Sequence, residues 1–89
     1  MNPALVAQAM LGKDAEEFLN TDLGRYLVGC AEQEIADATE KLVKVSSWRR
    51  RRIVDLQSQI WRAQSFQTWL AEIITTGRQA IETLAQKDE

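Results

Sequence analysis

The chain has 89 residues, 45% of them hydrophobic and 27% charged, with 11 Lys and Arg against 13 Asp and Glu. That composition suits one small folded domain rather than a disordered segment, and the formal charge of −2 gives no global field to draw in nucleic acid or a membrane. One Cys and no His leave no intramolecular disulfide, no thiolate zinc cluster and no imidazole for acid–base or metal chemistry.

Pro3 is the only proline, the glycines are Gly12, Gly24, Gly29 and Gly77, and no stretch alternates apolar and polar residues. An all-α fold is expected. Asn2 followed by Pro3 reads as a helix start: Asn can accept from free backbone N–H groups, and Pro fits the first helical position. Gly12, after Met10 and Leu11, is expected to close that helix in the left-handed conformation. A second short helix is then expected from near Asp14, with Glu16 and Glu17 in its first turn, ending around Asn20. Thr21 or Asp22 would cap the next helix.

From there the apolar residues fall at spacings of four and three: Leu23, Leu27, Ala31, Ile35, Ala38, Leu42 and Val45. This predicts a helix over 22–45 with one buried face and with Glu32, Asp37, Glu40 and Lys44 opposite. Ser46 and Ser47 break the pattern and offer an N-cap. The last helix is predicted over 48–86, with Ile53, Leu56, Ile60, Ala63, Gln67, Leu70, Ile74, Ile81 and Leu84 as its stripe. So short a break implies an antiparallel helical hairpin over 21–89, preceded over 1–20 by one or two short N-terminal helices.

The two long helices would measure roughly 36 and 58 Å, so the second overshoots the first by about four turns. Its overhang carries Ile73, Ile74, Ile81 and Leu84, and the nearest cover is Leu5, Val6, Met10, Phe18 and Leu19. Either a lopsided three- or four-helix bundle follows, or a hairpin completed by a second copy. The expected core includes Leu23, Leu27, Ile35, Leu42, Ile53, Leu56, Ile60, Leu70 and Ile74.

Two features point to partners. Trp48, Arg49, Arg50, Arg51 and Arg52, with Lys41 and Lys44, form a cationic tip with no acid between Glu40 and Asp55. Cations in a helix's first turn oppose its dipole, so stability alone does not place them there. A solvated tip, an acidic protein partner and nucleic acid are all compatible with it, although four successive arginines diverge around a helix and make no single phosphate-binding row. The second feature is Trp61 and Trp69, about 100° and 180° round the helix from Ile60, with Arg51 and Arg62 near the azimuth of Trp69. Trp and Arg are the residues enriched where interfaces concentrate their energy, so a second packing surface is expected.

The remaining candidates read as structure. Cys30, beside Val28 and Ala31, is expected as a small buried hydrophobe. The i,i+3 carboxylate pairs Glu34/Asp37 and Asp14/Glu17 read as solvated faces, and Gly77 as a close helix approach or a frayed end. No catalytic or metal motif occurs, so neither enzyme activity nor a cofactor is expected. The apolar runs are too short to span a bilayer and no leader pattern opens the chain, which reads as cytoplasmic.

Three stretches, GKDAEEFLNTDLGRYL from Gly12 to Leu27, LQSQIWRA from Leu56 to Ala63 and WLAEII from Trp69 to Ile74, resemble small uncharacterised helical proteins encoded by tailed bacteriophages. The resemblance spans most of residues 12–80. It implies a phage context, in virion assembly or DNA packaging and within the host cytoplasm or the virion, and it transfers no functional residue. The expected function is a non-catalytic, self-associating interaction protein. The alternatives are a nucleic-acid-binding module using the basic tip and a phage-encoded inhibitor of a host protein.

Overall fold

Asn2 begins the first helix by capping it: the Ala4 N–H donates to Asn2 Oδ1 at 2.9 Å, and Pro3 takes the first helical position. The computed structural model describes residues 2–87, and every regular element among them is an α-helix. α1 spans Pro3–Leu19, α2 Asp22–Lys44 and α3 Arg50–Lys87. The fold is therefore all-α. No described helix is long and apolar enough to cross a membrane.

α1 corrects the first expectation. It runs unbroken for 17 residues where one or two short helices with a stop at Gly12 were expected, and no glycine has positive φ among the described residues. Gly12 serves packing instead. The helix does end at Asn20, where the chain turns at once into α2. Thr21 makes that turn: its Oγ1 donates to the Phe18 carbonyl at 2.6 Å and accepts from the Gly24 N–H at 2.9 Å. One hydroxyl thus satisfies a free N–H at the start of α2 and ties it to the Phe18 carbonyl at the end of α1, which also accepts from the Thr21 N–H at 3.0 Å. Gly24 is required beside it, because a Cβ there would drive into the Phe18 carbonyl.

Between α2 and α3 the Arg49 N–H donates to the Ser46 carbonyl at 3.0 Å, and the Ile53 N–H donates to the Arg49 carbonyl at 3.1 Å. The serines are consumed by this turn, so Arg49, and neither Ser46 nor Ser47, stands at the N-cap position. α3 starts two residues later than expected, and Trp48 lies in the turn.

The chain divides into two compact units, Met1–Arg25 with Trp69–Glu89, and Tyr26–Thr68. In the first, α1 lies with the C-terminal part of α3, whose apolar residues it was expected to cover. Leu5, Val6, Phe18, Leu19, Ile74 and Leu84 are half-buried there, while Met10 is exposed. In the second, the buried positions are Ala31 and Ala38 on α2 and Leu56 and Ala63 on α3. Each pair is seven residues apart, two helical turns, which places its members on one face.

The core differs from the expected list in kind. Leu56 is fully buried, but Leu27, Ile35, Leu42, Ile53, Ile60, Leu70 and Ile74 are only half-buried, and Leu23 is 61% exposed. The fully enclosed positions are otherwise small: Gly12, Ala15, Gly24, Ala31, Ala38, Ala63, Gly77 and Ala80. Small residues let helix backbones approach, and the larger side chains then flank the contact line and remain partly wet. Leu23 fails for a local reason. Gly24 faces α1, and its neighbour, turned 100° away, faces water.

Candidate functional site

The first surface is the α2–α3 turn. Trp48, Arg49, Arg50, Arg51 and Arg52 are all exposed, Trp48 to 79%, and with Asp55 they line one open depression. α3 has no acidic residue in its first turn. Lys41 and Lys44 lie in the last turn of α2, where cations suit the dipole, and Lys44 Nζ also meets Glu40 Oε1 at 2.9 Å. None of Arg49–Arg52 makes an ion pair among the described residues. The tip is thus as cationic in three dimensions as along the chain.

Trp61 is 67% exposed and Trp69 62% exposed, so neither indole is buried by its own chain. Arg62 does not stand free beside them. Its guanidinium turns toward α2, with Nη2 at 3.8 Å from Glu34 Oε1, over a groove that includes Leu27, Ala31, Ala63 and Phe66. Cys30 also lines this groove and is exposed, contrary to the expectation of burial. It sits one residue from buried Ala31, and 100° of helix rotation carries its thiol out of the contact. Asp37 Oδ1 accepts from Gln33 Nε2 at 2.8 Å, and no cluster of potential metal ligands occurs among the described residues.

The surface that sequence reasoning missed lies between α1 and the C-terminal part of α3. Gln8 and Leu11 face Trp69, Glu72, Ile73 and Thr76 across an apolar groove. One turn further along both helices the backbones nearly touch: a Cβ built on Gly12 would lie 2.8 Å from Gly77 Cα, and one on Gly77 2.7 Å from Gly12 Cα. Beyond that crossing Arg78 Nε donates to Glu16 Oε1 at 2.8 Å. Groove residues precede the crossing in both helices and the ion pair follows it in both, so the segments cross running in the same sense. Leu11, Trp69 and Ile73 are exposed, and among the described residues Glu72 is the one charged residue lining the groove. The available signal was the shared spacing of Gly12 with Ala15 and Gly77 with Ala80, hidden by reading Gly12 as a helix stop.

Comparison with protein-family models, curated proteins and solved structures found no match.

Proposed function

We propose that this is a non-catalytic interaction protein that self-associates. The observation that carries the reading is that all three tryptophans are more than 60% exposed while, among the described residues, one large side chain, Leu56, is fully buried. A buried aromatic contributes more than any residue in this core, so exposing all three is unfavourable unless a partner covers them. Tyr26, Val43 and Val54 add to the exposed apolar surface. In finer detail, α2 and α3 form an antiparallel hairpin. This is supported by Glu34 with Arg62, and by the grouping of Lys41 and Val45, near the end of α2, with Arg52 and Leu56, near the start of α3.

The resemblance of residues 12–27, 56–63 and 69–74 to helical phage proteins supports a phage setting, in particle assembly or packaging within the host cytoplasm. A second reading, nucleic-acid binding through Arg49–Arg52, is favoured by the absence of ion-pair partners for these arginines among the described residues. Light scattering at tens of micromolar tests the first reading, with a multiple of the 10.1 kDa chain mass expected. Titration of duplex DNA at rising salt tests the second, since phosphate binding falls steeply with salt.

A further inference from the structure

We propose that the Trp48–Arg52 tip of one copy docks into the Leu11/Trp69/Ile73 groove of another copy, with Glu72 receiving the tip's guanidinium charge. This rests on the self-association reading and names its contact. The two surfaces are complementary in chemistry. Among the described residues the groove is apolar with a single carboxylate and no cation in its lining, and the tip offers an exposed indole followed by four arginines.

The charge distribution agrees at longer range. Among the described side chains, residues 2–25 with 69–86 hold six acidic against three basic, whereas Tyr26–Thr68 holds seven basic against five acidic. The groove therefore sits in an acidic setting, with Asp14 and Glu17 exposed on α1, and the tip in a basic one. Opposed fields of this kind steer association and fix orientation. Arg can pair with a carboxylate in bidentate fashion and also stack on an indole, so Glu72 and Trp69 together match the tip's residue types. Tip and groove are different surfaces carried by every copy, so the contact can repeat from copy to copy. A protein surface explains the tip better than nucleic acid does. The arginines diverge, Trp48 stands beside them, and Asp55 shares their depression, which opposes a phosphate.

The test measures the assembly's mass by sedimentation for the full chain and its variants, with circular dichroism to confirm helix content. Trp48 and Glu72 are exposed, so Trp48→Ala and Glu72→Arg leave the fold intact. Each is expected to raise the concentration needed for association by about tenfold or more. Raising salt from about 0.05 to about 0.5 M should dissociate the wild type, because exposed charge pairs are screened over a few ångströms at the upper end. The decisive arm is a mixture. Glu72→Arg alone and the Arg50→Glu/Arg51→Glu variant alone should each stay small, and mixing them should restore the assembly, since each now offers the other a complementary surface. Assembly that persists indifferent to salt and to all three variants overturns the docking while leaving self-association standing. A chain of single-copy mass under every condition overturns both. Binding of a short DNA duplex at concentrations where the copies do not associate overturns the docking in favour of the nucleic-acid reading.

Discussion

Gly12 of α1 and Gly77 of α3 meet backbone to backbone, so that a Cβ on either would lie under 3 Å from the other's Cα. Glycine in a helix interior costs about 1 kcal/mol relative to alanine, and here that cost is offset by letting two helices approach to a distance that no other residue permits. Ala15 and Ala80, each three residues further on, are buried beside the crossing.

Substituting these glycines gives a prediction whose sign differs from place to place. Gly12→Ala and Gly77→Ala should each destabilise by roughly 1–3 kcal/mol, because the obstacle is backbone that cannot swing aside. Gly29→Ala should stabilise by about 0.5–1 kcal/mol, since nothing lies within 4 Å of a Cβ there and the helix gains propensity. Urea unfolding of the three variants provides the check. Equal effects at positions 29 and 77 would contradict the crossing.

Core truncations should separate as sharply. Leu56→Ala removes the one large side chain fully buried among the described residues and should cost about 2–5 kcal/mol, whereas Leu23→Ala, at an exposed site, should stay within about 0.5 kcal/mol. Both lie on the periodic stripe, so pattern alone predicts similar losses. Denaturation midpoints decide between the two.

Thr21 holds α1 and α2 together at their turn, through one donated and one accepted hydrogen bond. Thr21→Ala should cost about 1 kcal/mol, with Thr21→Ser retaining most of it because the hydroxyl remains. A Thr21→Ser variant as weak as Thr21→Ala would show that the methyl group, rather than the cap, matters.

How far the sequence exposed this architecture depends on which feature is considered. The bounds of α2 and the end of α3 follow from apolar spacing, and the Asn2-Pro3 start from cap chemistry, since both signals are local. Gly12 misleads because a helix stop and a helix crossing use the same residue; only its distant partner, Gly77, tells them apart. The core misleads for a related reason. Spacing identifies the inward face, but whether Ala38 or Leu42 sits at the point of closest approach depends on interhelical distance, which periodicity does not encode. The exposure of Trp61 and Trp69 was legible as an azimuth off the stripe. The groove by Leu11 was not, because it exists only once α1 continues through Gly12.

The two partner-facing surfaces should respond separately in part. Trp61→Ala should lower the assembly's mass while leaving helix content intact, since its side chain is not in the core. Replacing Arg50 and Arg51 with Glu should keep the helix and even favour its start by some tenths of a kcal/mol per residue, as acids suit the N-terminal dipole. The same change should abolish the salt-sensitive part of the binding. Circular dichroism and sedimentation on the same samples distinguish these effects. Unfolding by Trp61→Ala would place that indole in the core after all.

The mass of the protein in solution, measured by light scattering on the full chain at tens of micromolar and low salt, tests the central claim most directly. Self-association predicts a mass that rises with concentration to a multiple of 10.1 kDa. A mass fixed at 10.1 kDa across that range, with the tryptophans as solvent-accessible to a fluorescence quencher as in the isolated chain, would contradict it.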